Sequence, residues 1–220
     1  MTKQIRTEQN RTEQMKFWEG TFGDVYIDRY SGDFDRYAKE DYGVTRTQLN
    51  KEFLSKLDKN IKILEIGCNS GGQLALLKRA GFNNLFGIEI NKKALRIAKE
   101  SKEFNVMYGS ALDIPYEKDF FDLVFTSYVL IHIHPKDLQK VIREAYRVTK
   151  KYIWGIEYFS EKCEEVNYRG YGNKLWRNNF LNTFLSEYPA LKVIKIKELP
   201  YRKDPNSDMM YLLKKKQVYG

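Results

Sequence analysis

The chain has 220 residues, 42% hydrophobic and 30% charged, with a formal net charge of +9. That balance describes one globular domain with enough apolar residues to bury a core, and it excludes a disordered chain. No apolar run is long enough to span a bilayer, Met1 to Asn10 holds no signal-peptide core, and Cys68 and Cys163 make no disulfide framework, so the expectation is a cytoplasmic protein without membrane contact.

Residues 1–14 are polar and read as a loosely ordered start. Met15 to Tyr30 crowds the aromatics Phe17, Trp18, Phe22, Tyr26 and Tyr30, with Gly20 and Gly23 placed to break a long helix. Residues 33–57 read as helix. Their apolar stripe, Tyr37, Tyr42, Leu49, Phe53, Leu54 and Leu57, is interrupted near Gly43.

Lys62-Ile63-Leu64-Glu65-Ile66 then gives a short buried strand, followed by the turn Gly67-Cys68-Asn69-Ser70-Gly71-Gly72 and a helix to Ala80. A strand–loop–helix junction of this kind points free backbone N–H groups at whatever occupies the crevice above the strand. The spacing Gly67-x-x-x-Gly71 departs from the G-x-G-x-x-G of dinucleotide folds and by itself also fits an ordinary turn. Asn84 to Asn91 is a second apolar run that ends on an acid, Glu89, 18 positions after Gly71. In doubly wound sheets an acid at this strand end accepts hydrogen bonds from ribose hydroxyls. A solvated strand-end acid would leave the same letter.

Asn91 caps a helix to Lys102, and Val106 to Tyr108 is a third strand. Phe120 to Val129 is a fourth, very apolar strand, Leu130 to Pro135 a loop, and Lys136 to Thr149 an amphipathic helix. A fifth strand, Tyr152 to Tyr158, ends at Glu157 and Tyr158. Polar residues fill 160–173, and Leu175 to Tyr188 reads as helix. Leu191 to Leu199 and Met209 to Leu213 read as antiparallel neighbours around the turn Pro205-Asn206-Ser207. Strands alternating with helices indicate a parallel sheet. The last thirty residues carry eight basic and three acidic side chains, Lys214-Lys215-Lys216 among them. Such an end suits a nucleic-acid backbone or a lysine-protected sheet edge.

Four stretches in order, Glu65-Ile66-Gly67-Cys68-Asn69-Ser70-Gly71, Gly87-Ile88-Glu89-Ile90-Asn91, Gly109-Ser110-Ala111-Leu112-Asp113-Ile114-Pro115 and Phe121-Asp122-Leu123-Val124-Phe125, resemble the motifs of class I S-adenosylmethionine-dependent methyltransferases. More narrowly, the chain is similar to the pseudaminic acid biosynthesis-associated methylase family. That likeness rests on Phe17-Trp18-Glu19-Gly20, Phe22-Gly23-Asp24 and Tyr26, on Leu130-Ile131-His132-Ile133-His134-Pro135, on Tyr168-Arg169-Gly170, and on Tyr201-Arg202-Lys203-Asp204-Pro205.

The resemblance implies an α/β, Rossmann-like class I methyltransferase fold. Its seven-stranded, mostly parallel sheet would have an antiparallel C-terminal strand and helices on both faces. Residues 1–60 would be a helical, aromatic arm over the cofactor site and residues 61–220 the methyltransferase domain. S-adenosylmethionine would lie against Trp18, Tyr26, Glu65, Gly67, Asn69, Gly71, Glu89, Ile90, Ser110, Ala111, Thr126 and Ser127, with Phe22 a further wall. Ser110 stands where many members carry an acid for the adenine amine. Tyr128, Glu157, Tyr168 and Arg169 are the candidate acceptor-binding residues, arginine because its fork matches a carboxylate or phosphate.

Methyl transfer needs alignment and exclusion of water, and a base only where the acceptor must lose a proton. His132, after the fourth strand, is the candidate base, and His134 is expected to face away. They are the chain's only histidines, and no carboxylate or cysteine completes a metal set around them. The resemblance implies a sugar or sugar-nucleotide acceptor of the nonulosonic acid type used in surface glycans. An RNA methyltransferase is the alternative. The basic charge favours it, while Thr126-Ser127-Tyr128-Val129 in place of an N-P-P-Y-like loop speaks against it. A non-catalytic S-adenosylmethionine-binding subunit would carry the same cofactor motifs.

Overall fold

The computed structural model of the chain describes residues 11–29 and 33–216. Most of the expected loose start, and Tyr30 of the aromatic group, lie outside the described residues.

Among the described residues seven strands form one sheet: β1 (Lys62–Ile66), β2 (Asn84–Glu89), β3 (Asn105–Tyr108), β4 (Phe121–Ser127), β5 (Thr149–Phe159), β8 (Lys192–Pro200) and β9 (Ser207–Lys214). The order is β3-β2-β1-β4-β5-β9-β8. β9 runs antiparallel to both its neighbours, and every other pairing is parallel. The order reverses at β1, between β2 and β4. In open α/β sheets the crevice at such a switch point, beyond the strands' carboxyl ends, is where ligands bind.

The first four helices, α1 (Glu13–Glu19), α2 (Thr21–Arg29), α3 (Phe34–Tyr42) and α4 (Arg46–Leu54), precede the sheet. Gly20 ends α1, but Gly23 does not break α2. It lies inside the helix because the Trp18 carbonyl comes so close that a β-carbon would not fit. Gly43, at φ +82°, separates α3 from α4 in the left-handed conformation that stops helices. Thr45 and Gln48 then form a reciprocal capping box that starts α4.

Three further helices, α5 (Gly72–Arg79), α6 (Lys92–Glu100) and α7 (Pro135–Val148), are the crossovers of the parallel strands. Asn91 caps α6 by accepting the Ala94 N–H at 2.9 Å. The sheet is covered on both faces. One core joins Leu64, Ile66 and Val124 to Val141, Ile142 and Phe184, and the other joins Ile63, Leu123 and Phe125 to Leu49, Phe53 and Leu74. Ile114, from the stretch after β3, is buried in the first of these.

The helix expected from Leu175 begins later. Trp176–Arg177 (β7) pairs with Glu164–Glu165 (β6) in a two-stranded ribbon, and α8 spans Phe180–Glu187. Asn179 is the reason: its side chain accepts the Asn182 N–H at 2.9 Å and fixes the helix start there.

Candidate functional site

At the switch point a cavity of about 290 Å³ is bounded by the tips of β1, β2 and β4, the turn after β3, and the four N-terminal helices. Gly67 leaves β1 at φ +69°, and a β-carbon there would sit 2.7 Å from Val129 Cγ2. Only glycine lets the chain turn this sharply with the loop after β4 pressed against it.

Five of the backbone N–H groups expected to be free along the glycine loop are already partnered. The Gly67 and Cys68 N–H groups donate to the Ile88 carbonyl, Asn69 N–H to Glu89, Ser70 N–H to the Asn69 side chain and Gly71 N–H to the Cys68 carbonyl. The loop spends these donors on holding its own shape. It presents Gly67, Cys68, Asn69, Ser70 and Gly72 to the cavity, while Gly71 is set back, packed against Phe104.

Glu89 and Ile90 line the same space as the loop. Both carboxylate oxygens of Glu89 take backbone donors, Oε2 from Asn69 at 2.9 Å and Oε1 from Asn91 at 2.7 Å. Burial raises its pKa, and the backbone donors partly offset the rise. Each carboxylate oxygen has a second lone pair, which leaves acceptor capacity for a ribose.

Ser110, Ala111 and Leu112 form the wall beyond β3. Ser110 Oγ accepts the Leu112 N–H at 3.1 Å and meets Met15 Sδ of the arm at 3.8 Å. Trp18 and Tyr26 line the cavity from above, edge to face at 5.3 Å. Phe22 is not a wall: it stacks on Phe17 at 4.1 Å. The arm is tied down by Asn91, whose Nδ2 donates to the Trp18 carbonyl at 3.0 Å and to Asp24 at 2.9 Å.

Toward β4 the cavity meets a buried charge pair that the sequence reading only half found. Glu65 is buried, with Oε2 lacking a hydrogen-bond partner among the described residues, and burial pushes its carboxyl well up, against the pull of Arg46. Arg46 itself, on α4, is buried and lines the cavity. Its Nη2 donates to Ser127 Oγ at 2.6 Å, while Nε has no hydrogen-bond partner among the described residues. Nothing in the spacing distinguished this arginine from an ordinary helix-surface charge. Beyond it, Tyr42, Tyr128 and Tyr201 face the cavity and converge on the buried Asp208.

His132 lies in a short 3-10 turn, Leu130–His132, and lines the cavity. Its Nδ1 is 2.8 Å from the Lys174 carbonyl. A carbonyl can only accept, so Nδ1 carries the proton and Nε2 offers a lone pair. Burial holds the imidazole pKa down at about 4. Its ring is 4.4 Å from that of Trp18 and 5.2 Å from that of Tyr168, which also borders the cavity. His134, expected to face away, caps α7 and also reaches the cavity rim.

Three expected contacts lie elsewhere. Glu157 is buried behind the site, where it accepts the Val129 N–H at 3.2 Å and the Ile131 N–H at 3.4 Å. It positions the His132 turn, and burial raises its pKa to about 7. Thr126 is buried and turns its hydroxyl to Glu157. Arg169, at φ +55°, is exposed in a turn and does not border the cavity. Among the described residues no group of His, Cys, Asp and Glu is arranged to hold a metal, and no helix is long and apolar enough to cross a membrane.

The donor set fits S-adenosylmethionine. The acid Glu89, the carboxylate Glu65, the guanidinium of Arg46 and the rings of Trp18 and Tyr26 all border the one space, residue types that suit its ribose, ammonium, carboxylate and sulfonium groups.

The methyltransferase domain family matches residues 64–152. A demethylmenaquinone methyltransferase of Lactobacillus johnsonii is 30% identical over 119 residues, 48% of this chain and 47% of the relative. The chain thus spans about half the length of that relative. Among solved structures, a putative S-adenosylmethionine-dependent methyltransferase from Listeria monocytogenes has TM-score 0.61 at 15% identity, covering 77% of this chain and 97% of the other. The [4+2]-cyclase SpnF has TM-score 0.63 at 14% identity, covering 78% and 81%. Such distant likenesses establish the fold, which hosts more than one chemistry. Residues 64–152 thus match a methyltransferase domain, the chain has a Rossmann-like methyltransferase fold, and S-adenosylmethionine is the cofactor that this match and fold indicate.

Proposed function

We propose that the protein is an S-adenosylmethionine-dependent methyltransferase acting on a small hydroxyl- or amine-bearing acceptor, with a sugar or sugar nucleotide as the favoured class. The observation that carries this reading is that Glu89 and the 67–72 loop border one cavity, which continues to Glu65 and Arg46. Glu89 holds the ribose. Ser110, Ala111 and Ile90 enclose the adenine, Asn69 and Gly67 border the ribose and sulfur, and Gly71 shapes the loop from behind. Arg46 grips the amino-acid carboxylate and Glu65 the ammonium, with Ser127 orienting Arg46.

Bound S-adenosylmethionine supplies an electrophilic methyl group and a neutral sulfur leaving group. The protein aligns the acceptor and excludes water. The helices α1 to α4 cover the cofactor as an arm, and the aromatic rings of Trp18 and Tyr26 suit a cation such as a sulfonium. Tyr128 and Tyr168 flank the acceptor, and their faces suit a sugar ring. His132 Nε2 offers a lone pair at the cavity wall beside the acceptor. With its conjugate acid near pH 4, it is a weak store for a proton. The nonulosonic acid assignment rests on the sequence resemblance. A cytoplasmic setting, where both S-adenosylmethionine and sugar nucleotides are made, fits this reading.

Mass spectrometry of methyl transfer across sugar nucleotides, small amines and RNA tests it. Product with a sugar nucleotide supports the proposal, and product with RNA alone replaces the acceptor class.

A further inference from the structure

Asp208, on β9, has no solvent exposure, yet it is one side chain away from the cavity. Tyr42 from α3, Tyr128 from the tip of β4 and Tyr201 from the β8–β9 turn border the cavity and direct their hydroxyls to its carboxylate. Tyr201 Oη donates to Oδ1 at 2.9 Å. The other oxygen, Oδ2, is met by Tyr128 Oη at 2.6 Å and by Tyr42 Oη, and these two hydroxyls are 2.8 Å from each other.

The triangle of Tyr42, Tyr128 and Asp208 Oδ2 therefore has three close oxygen–oxygen contacts and two phenolic protons. One contact lacks a proton, so with Asp208 ionised the cluster has room to take one up. A carboxylate simply held by donors would have its partners spread around it, with the phenols apart. Tyr128 stands at φ +57°, a left-handed conformation unfavourable for a residue other than glycine, and so is held by its surroundings.

We propose that Asp208, acting through Tyr128, is the proton acceptor of the methyl transfer, taking up the proton that a hydroxyl acceptor gives away at the cavity wall. The acceptor's O–H proton moves to Tyr128 Oη as the Tyr128 proton passes to Asp208 Oδ2. The acceptor oxygen bonds the methyl carbon, and the electron pair of the broken carbon–sulfur bond stays on sulfur. Tyr128 touches the substrate and is catalytic, whereas Asp208, Tyr42 and Tyr201 act through it. The inference rests on the methyltransferase reading and adds the route of the proton, which the weakly basic His132 leaves open.

The charged and titratable groups facing Asp208 are Tyr42, Tyr128, Tyr201 and, further off, Arg46, with Tyr158 beyond Tyr201. Burial raises the Asp208 pKa, while the three hydroxyl donors and Arg46 lower it, and burial is the larger cause. Carbon-13 NMR of the free chain labelled at aspartate Cγ, with Asp208 assigned by its loss in Asp208→Asn, reads the balance directly. The expected result is a carboxyl that titrates clearly above an ordinary aspartate's value of about 3.9 and moves higher still in Tyr128→Phe.

A midpoint at or below about 4 would make Asp208 a fixed anion that ties the tyrosines in place, and would overturn the proposal. A high midpoint that Tyr128→Phe leaves unchanged would overturn the relay through Tyr128. If Asp208→Asn does not fold, the shift in Tyr128→Phe assigns the signal. Calorimetry of the wild-type chain with S-adenosylhomocysteine separates the two readings. Absence of binding there removes the methyltransferase assignment and, with it, this use of the cluster, whatever its midpoint.

Discussion

Glu89 Oε2 accepts the Asn69 N–H at 2.9 Å, so the acid that ends β2 and the glycine loop that follows β1 form one hydrogen-bonded unit. The second oxygen holds Asn91, whose own side chain holds the arm through Trp18 and Asp24. Glu89→Ala removes the proposed ribose acceptor and loosens both attachments. Hydrogen bonds to a charged group contribute about 1.5–3 kcal/mol each, so affinity for S-adenosylhomocysteine should fall about 10- to 100-fold, read by calorimetry.

Gly67→Ala tests the turn itself. The left-handed φ costs a non-glycine residue about 1 kcal/mol or more, and the new methyl would meet Val129 Cγ2 at 2.7 Å. Denaturant unfolding should show a loss of about 1–3 kcal/mol. Adding Val129→Ala should recover the steric part and leave the backbone part. Full recovery would mean that the turn imposes no strain.

Arg46 and Glu65, one a guanidinium and the other a buried carboxyl, border the same cavity. Arg46→Met should weaken S-adenosylhomocysteine at least tenfold and leave adenosine, which lacks the amino-acid end, within about twofold. Equal losses for both ligands would remove the assignment of Arg46 to the carboxylate.

Glu157 and His132 titrate over overlapping pH ranges with opposite effects on stability. The Glu157 pKa is raised from 4.5 to about 7, so its contribution is fully present below pH 4.5 and lost as pH rises through about 7. The His132 pKa is lowered from 6.5 to about 4, so its contribution is present above pH 6.5 and lost as pH falls through about 4. In the wild type the two partly cancel between pH 4.5 and 6.5. Chemical denaturation across that range should fall with rising pH in His132→Asn and rise with it in Glu157→Gln, relative to wild type. Parallel curves for both variants would contradict these shifts.

The sheet was legible because its signals are local. Ile63, Leu64 and Ile66 read as a strand buried on both faces, Gly43 and Asn91 marked helix ends, and the acid at 89 stood at a readable distance from the loop. Two kinds of feature were not legible. A side chain's direction depends on its partners, so Glu157 and Thr126 read as site residues at strand ends yet face each other in the interior. Groups brought together across the chain left no spacing to count. Arg46 is 81 residues from Ser127, and Asp208 is 166 from Tyr42. Their tell was a charged residue within an apolar pattern, which Asp208 in Ser207-Asp208-Met209-Met210 does carry.

The most direct test of the whole account is calorimetric titration of the full chain with S-adenosylhomocysteine, run beside Glu89→Ala and Arg169→Ala. The account predicts saturable one-to-one binding that Glu89→Ala weakens 10- to 100-fold, by the energies given above, and that Arg169→Ala, outside the cavity, leaves unchanged. No saturable heat, or equal affinity in wild type and Glu89→Ala, would contradict it.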